Sequence, residues 1–529
     1  MRTSIQKFNF RSALTPRRQV YLTGDRVTAP SQMKHADMTE NNSVVFTSFV
    51  GGAPLAPAGE CQDLVDPATG RVWAKVRIDP AAVALSVASA SAAFAAPSWA
   101  LLTAAERGVL LRKLGALVEA HAVELGYLES LANGKSHAAT AAEIRATAQW
   151  YSYYANAVEV HDDIHRPVSR NVDARIMREP LGIVVAITPF NGALSLGSWK
   201  LAPALAMGNA VILKPPAEAP GSSIRLAELA IEAGFPEGIV NVVIGDAMLG
   251  ERLATHPDVA MVSFTGSTAT ARLLGAKVTG GLKRFLCEAG GKSAHIVFED
   301  ADIESAVVAA TQGAFSGAGQ TCVAGSRILV QASIYETFLK QYRESARRIR
   351  VGPPSSARSH IGPVASRRQF DRVRGFIDEA VAAGGKIELG AVPPVVDAEH
   401  AGGYWIAPTI ITGVTSDMRI CREEVFGPVV TVQPFADEDE ALALANGVEY
   451  GLAAGFWTRD AARMRRVSRR LQAGTVWINT YRAINLRVPF GGYKQSGLGR
   501  ENGVEALDEF SQIKSVVTDY GTAVDPFAQ

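Results

Sequence analysis

Three residues of this sequence are placed to do chemistry, each where a strand-like run or a glycine-rich turn meets open chain. Gly319 to Arg327 reads Gly-Gln-Thr-Cys-Val-Ala-Gly-Ser-Arg, so Cys322 sits behind a Gly-rich approach and ahead of the strand-like run Ile328, Leu329 and Val330. A thiol on such a turn is open to a ligand on one side and held by backbone on the other. There the nearby N–H groups are expected to lower its pKa from about 8.5 and make it a nucleophile. The bland alternative for a free cysteine is a small buried hydrophobe. Glu288 follows a short apolar segment in Cys287-Glu288-Ala289-Gly290-Gly291-Lys292, and Asn191 ends the run Ile187-Thr188-Pro189-Phe190-Asn191 at the lip of a strand. Cysteine, carboxylate and amide together supply the nucleophile, general base and oxyanion donor that an acyl-transfer or aldehyde site requires.

The elements around them follow from periodicity. From Leu181 the pattern alternates, predicting strands at 181–187, 210–214, 240–244, 260–264 and 283–287, with helices near 196–207, 222–234, 247–255 and 268–278. That alternation implies a parallel sheet with right-handed crossovers. A second alternating series runs from His295 to Ile478 with the Cys322 loop near its start. Upstream, Asp66 to Gly70 reads as a turn between two strand-like pieces. Two long helical patterns follow, Ala104 to Ala132 (closing on Asn133-Gly134) and Ala141 to Glu159. A hairpin is expected between His161 and Arg178, and a short helix and final strand between Gly503 and Asp519.

Bulk composition excludes several classes. A chain of 529 residues should hold at least two domains. With 53 basic and 52 acidic residues, the net charge of +1 gives no electrostatic case for nucleic acid or an anionic membrane. Cys61, Cys287, Cys322 and Cys421 show no C-x-x-C pattern, which suits a reducing, cytoplasmic setting without disulfide framework or zinc site. Pro80 to Ala105 carries no charge, but it is mostly Ala and Ser and is interrupted by Pro97. It is read as Ala-rich helix, not a membrane span. His161 and His165, flanking Asp162 and Asp163, have metal-like spacing but no evident third ligand, so no metal is expected.

Taken in order, these motifs resemble the aldehyde dehydrogenase superfamily, of the hydrolytic, non-acylating type, from about Val44 to the C-terminus. The resemblance implies an α/β fold with a Rossmann-like cofactor domain (38–159 and 179–290), an α/β catalytic domain (291–503) and a small β oligomerisation arm (160–178 and 504–529). It implies a homodimer or homotetramer acting on a small-molecule aldehyde with NAD or NADP. Cys322 would attack the aldehyde carbon, Glu288 would be the base for thioester hydrolysis, and Asn191 would join the Cys322 N–H in holding the oxyanion. There is no G-x-G-x-x-G. In its place, Gly266 and Ser267 at a strand-to-helix turn would meet pyrophosphate, Lys214 would take the adenosine ribose, and Glu424 and Phe426 the nicotinamide ribose and ring. Ile187, Thr188, Pro189 and Ala217 fall beside the cofactor. The loop Pro489 to Gly497 is a further signature, read as structural. Members that pass the acyl group to coenzyme A typically lack the glutamate, so Glu288 speaks against that alternative, and the full set speaks against a non-catalytic protein on the same fold. Met1 to Asp37, with seven Lys or Arg against Asp25 and Asp37, resembles either a transit peptide or an upstream extension ending near Met33 or Met38. The extension is preferred and expected to be disordered.

The substrate channel is the least determined. Residues after the oxyanion Asn (Gly192, Leu196, Trp199) and before the Phe490-Gly491-Gly492 loop (Arg482, Ile484, Arg487) line it in the family. Gly192 stands where many members carry a bulky aromatic, which predicts a wider channel, and an arginine there would suit a distal carboxylate.

Overall fold

The alternation of strand and helix resolves into two largely parallel sheets in this computed structural model, which describes residues 44–522 and Phe527. The first sheet runs Gly497–Leu498, Arg284–Glu288, Val259–Thr265, Ile183–Ile187, Ala210–Lys214, Val240–Val242, Phe49–Val50, Ala53–Pro54. Its parallel block begins at Ile183–Ile187 and steps outward through Ala210–Lys214 to Val240–Val242. The chain then returns to the other side of its first strand with Val259–Thr265 and Arg284–Glu288. Strand order therefore reverses between Ile183–Ile187 and Val259–Thr265. Crossovers that leave in opposite directions open a crevice outside the carboxyl ends of those two strands. Ile183–Ile187 and Ala210–Lys214 are buried at every residue, as near-continuous apolar runs require when helices cover both faces. Helices Ala82–Ala95, Ala247–Thr255 and Thr268–Gly280 form one covering layer, and Ala193–Ala206 and Gly221–Ala233, backed by Ala104–Ala120 and His137–Glu159, form the other.

The second sheet runs Lys386–Leu389, Thr409–Thr412, Val429–Phe435, Arg327–Gln331, Ala294–Val297, Ala453–Trp457, Thr475–Ile478, parallel except at Lys386–Leu389. One face packs on Ile303–Phe315 and Tyr335–Arg347 through Val330, Phe315 and Tyr342. The other packs through Phe298, Phe435 and Leu442. One segment from the 291–503 span crosses between sheets: Gly497 and Leu498 pair with Glu288 and Cys287.

Strand and helix positions in the 181–288 region fall within a few residues of those expected. The long helical pattern from Ala104 does not run unbroken to Ala132. It divides into Ala104–Ala120 and Ala122–Asn133, because His121 leaves the helical region (φ −96°, ψ 15°) and its ring meets Glu124 at 2.8 Å. Apolar periodicity continues across this break, so period alone hides it. The second helix ends as expected on a left-handed Gly134, and the next begins at His137, not Ala141, because Ser136 caps it. The expected hairpin is Ile164–Pro167 and Val172–Pro180, extended by Ser511–Asp519 into a three-stranded antiparallel sheet. The reading of 1–37 as an extension lies outside the described residues. Among those described, no helix is long and apolar enough to cross a membrane.

Candidate active site

The Cys322 loop is built on backbone that only glycine-rich sequence tolerates. Gly317, Ala318 and Gly319 all take left-handed φ, at 64°, 56° and 68°. A Cβ on Gly319 would overlap the Gly427 carbonyl, and one on Gly291 would overlap the carbonyl of Cys322 itself. The two glycine signatures thus let three chain segments converge on one cysteine. Gln320 staples the loop: its Oε1 accepts the Ala365 N–H at 2.9 Å, and its main-chain carbonyl accepts a hydrogen bond from Asn191 Nδ2 at 3.1 Å. The Asn191 turn, Phe190–Gly192, and the nucleophile loop are therefore locked together across 129 residues of sequence. One amide hydrogen of Asn191 is engaged and the other is left over. The Cys322 N–H has no main-chain acceptor and interacts with its own sulfur.

One expectation is overturned here. Cys322 is partly exposed, yet burial of its sulfur pushes the thiol up to about 12, with the charges of Glu424 and Glu288 adding to the shift. The loop N–H and the Arg482 guanidinium pull the other way and do not win. Turn geometry favoured a lowered pKa; desolvation and two acidic neighbours, brought from elsewhere in the sequence, dominate.

Glu288 ends the strand Arg284–Glu288 and is 3% exposed, with neither carboxylate oxygen hydrogen-bonded. Burial holds it well above the usual carboxylate range; Glu501 adds to the shift, while Lys200 and Arg500 oppose it. Lys200 and Glu501 form an ion pair at 0% and 1% side-chain exposure, and Lys200 Nζ also donates to Thr265 Oγ1 at 2.7 Å. Sequence reading passed over this pair. The available signal was Lys200 itself, the one charge in helix Ala193–Ala206, which must find a buried partner.

The crevice at the strand-order reversal is a cavity of about 740 Å³, ample for a dinucleotide's inner half. Pro189, Asn191, Leu196, Gly266, Ser267, Cys322, Glu424 and Phe426 all line it. Ser267 caps helix Thr268–Gly280 by accepting from the Thr270 N–H, so the helix N-terminus faces the cavity with its partial positive charge. The Glu424 carboxylate accepts the Gly291 N–H at 3.1 Å, and a Cβ on Gly290 would stand 2.6 Å from it, which explains the Gly-Gly pair. Burial raises Glu424 to about 7, opposed by that N–H and by Lys292 and Arg372. Phe426 is held at φ 57° with its ring edge-on to Phe190 at 5.7 Å. Arg272, on helix Thr268–Gly280, and Arg368, Gln369 and Arg372, on helix Arg367–Ala382, also reach the wall and were missed, because the second helix shows only an amphipathic pattern in sequence.

Ile187, Thr188, Lys214 and Ala217 are outside that wall. Thr188 Oγ1 is buried without a partner. Lys214 Nζ donates to the Gly245 carbonyl at 2.6 Å, and burial lowers it to about 8 against the pull of Glu218 and Asp246. Of the expected substrate residues, Leu196 lines the cavity. Trp199 is 9% exposed, stacked on Trp150 at 5.6 Å and edge-on to Phe490 at 5.5 Å, which makes it chiefly a packing residue. At Gly192 the space beside the missing side chain is bounded by Ser195 Oγ and the Glu143 carboxylate, 2.7 and 3.3 Å from a would-be Cβ. Ile484 is 38% exposed, and Arg487 is also at the surface.

Comparison with known proteins follows the same lines. Residues 55–516 match the model of the Aldehyde dehydrogenase family. An aldehyde dehydrogenase of Emericella nidulans is 43% identical over 447 residues, which is 84% of this chain and 88% of that protein. The solved structure of betaine aldehyde dehydrogenase from Staphylococcus aureus in complex with NAD+ is similar with a TM-score of 0.89 at 34% identity, covering 94% of this chain and 98% of that one. A mutant aldehyde dehydrogenase from Bacillus cereus gives a TM-score of 0.87 at 38% identity, covering 90% of this chain and 97% of that one.

Proposed function

The chain belongs to the aldehyde dehydrogenase family, and on that premise we propose that it oxidises an aldehyde to the free carboxylic acid with NAD+ or NADP+, through a thioester on Cys322 that water hydrolyses with Glu288 as base. The observation that carries this reading is the junction of the Asn191 turn with the Cys322 loop, beside a buried carboxylate that has no hydrogen-bond partner. The cavity fits the cofactor: a helix N-terminus and Ser267 for pyrophosphate, Glu424 and Phe426 for the nicotinamide end.

Cys322 Sγ bonds to the aldehyde carbon as its proton leaves, and the carbonyl oxygen becomes an oxyanion. The Cys322 N–H, which has no main-chain acceptor among the described residues, and the second Asn191 N–H meet that charge, each such donor contributing about 3 kcal/mol. Bound nicotinamide dinucleotide supplies the acceptor for the hydride that leaves the carbon. Water then attacks the thioester carbon, its proton passes to Glu288, the C–S bond breaks and the thiolate regains a proton. A raised carboxylate suits this role, since it takes a proton more readily than an ordinary glutamate. The presence of Glu288 favours water over coenzyme A as the acyl acceptor.

The exposed Ile164, Ile513 and Val517 on the three-stranded sheet, with Tyr520 just past its end, support its reading as an arm that joins copies into a dimer or tetramer. All four cysteines are free, which suits the cytoplasm.

The test is reduced-nicotinamide absorbance over aliphatic, aromatic and carboxylate-bearing aldehydes with each cofactor. Acid must form in step with reduced cofactor; no turnover on any aldehyde contradicts the proposal. Both cofactors should serve. A glutamate three residues after Lys214 would repel a 2′-phosphate, and Ala217 stands there instead. Glu218, one place on, is exposed, although its charge reaches Lys214. Ala217→Glu should shift preference toward NAD+. A wild-type kcat/KM preference for NAD+ beyond about a hundredfold, near 2.7 kcal/mol, contradicts this.

A further inference from the structure

A loop beside the site carries a cation that has no hydrogen-bond or ion-pair partner among the described residues. Asn479 anchors its start, with its N–H donating to Phe456 O, its Oδ1 accepting the Thr458 N–H and its Nδ2 donating to Thr458 O, each at 3.0 Å. Tyr481 fixes the middle: its ring packs on His295 and Trp477, with centroids 4.9 Å apart in each case, and a Cβ on Gly313 or Gly325 would come within 3.0 Å of it. The Ala483 carbonyl accepts the Trp477 Nε1–H at 3.1 Å. Between these anchors Arg482 is held at φ 59°, a left-handed conformation that a non-glycine residue keeps only where its surroundings impose it.

The Arg482 guanidinium is half-buried and makes no hydrogen bond or ion pair with any described residue. Arg327 shows the usual alternative, donating to the carbonyls of Lys292, Leu444 and Ala445. The acidic group that acts on Arg482, Glu143, is already engaged by Lys135 Nζ at 2.8 Å and Ser195 Oγ at 2.7 Å. The Glu143 hydrogen bonds therefore go elsewhere, and the five N–H donors of Arg482 have no acceptor among the described residues. A desolvated cation held without a partner costs stability unless a ligand completes it. Arg482 is absent from the wall of the large cavity, whose arginines are Arg272, Arg368 and Arg372, so cofactor phosphate is not what it awaits.

We propose that Arg482 is the specificity-determining anchor for a carboxylate at the far end of the substrate, so that the preferred substrates are ω-oxo acids. This rests on the aldehyde-oxidising reading given above. A chain bonded at Cys322 runs its far end away from that nucleophile; the loop that carries Arg482 packs on the nucleophile loop through Tyr481 against Gly325, and from there the preset guanidinium donates to a terminal carboxylate in fork geometry.

The experiment compares 4-oxobutanoate, 5-oxopentanoate and 6-oxohexanoate with neutral aldehydes of equal chain length, in the wild type and in Arg482→Met and Arg482→Lys. For the best length, wild-type kcat/KM should favour the oxo acid by on the order of tenfold to a hundredfold, the range of a charge-assisted hydrogen bond. Arg482→Met should bring that ratio to about one, mainly through KM, and Arg482→Lys should restore part of it. Because Arg482 makes no hydrogen bond or ion pair among the described residues, its removal leaves no such group unpaired, and the melting temperature should not fall. A wild type with no preference for the charged series overturns the proposal without touching the aldehyde reading. So does a ratio that survives Arg482→Met, which would assign the charge to thiolate stabilisation. A wild type inactive on every aldehyde removes both.

Discussion

Replacing Cys322 by alanine abolishes aldehyde oxidation and leaves cofactor affinity within about twofold. The expected fall in kcat/KM is beyond about ten-thousandfold, or about 5 kcal/mol at the transition state. No other thiol can substitute, since Cys287 and Cys421 are buried and outside the cavity wall, and Cys61 is exposed on strand Glu60–Val65. The polar contacts expected to hold a dinucleotide come from Ser267, the helix behind it and Glu424, none of which depends on the sulfur. Reduced-nicotinamide absorbance reads the first quantity, and calorimetric titration with NAD+ the second. Equal loss of both would give Cys322 a structural role; retained turnover would place the nucleophile elsewhere.

Glu288→Gln separates the two halves of the reaction. Hydride loss precedes deacylation, so the variant should release a burst of reduced cofactor and then turn over roughly a hundred- to ten-thousandfold more slowly, the usual contribution of a general base. The carboxylate accepts no hydrogen bond, so an isosteric amide breaks none. The pH behaviour gives a second reading. Glu288 keeps its proton in the fold well above the carboxylate value of about 4.3 at which the unfolded chain releases it. In that interval the folded state binds more protons, so wild-type stability falls as pH rises, and the glutamine variant lacks this loss. It should therefore melt no lower than the wild type at pH 8. Wild-type steady turnover should rise with pH as Glu288 ionises, and the variant should lose that limb. Unchanged turnover would exclude Glu288 as the base.

Much of this site was legible because its chemistry sits where local pattern is strongest. The switch from helical to alternating periodicity at Leu181 located the strands whose ends carry Asn191, Gly266 and Glu288. The glycines around Cys322 announced a backbone that side chains would block, and the overlaps at Gly291 and Gly319 are the reason. What stayed hidden depends on residues far apart in sequence. The Lys200–Glu501 pair that tunes Glu288 spans 301 positions, and no periodicity links its members. The raised Cys322 pKa depends on how deeply the loop is packed and on Glu424 arriving from the loop between helix Arg419–Arg422 and strand Val429–Phe435. Arg482 and Arg487 look alike as letters; packing around Tyr481 half-buries the first and leaves the second exposed.

The central claim is a thioester on Cys322. Its most direct test is intact-protein mass spectrometry of Glu288→Gln, acid-quenched after mixing with NAD+ and an aldehyde that the wild type oxidises. The account predicts a mass gain equal to the aldehyde less the two hydrogens lost in forming the acyl group, mapped by peptide digestion to Cys322 and absent without NAD+. No adduct on Cys322 during a measurable burst, or an acyl group mapped to another residue, would contradict it.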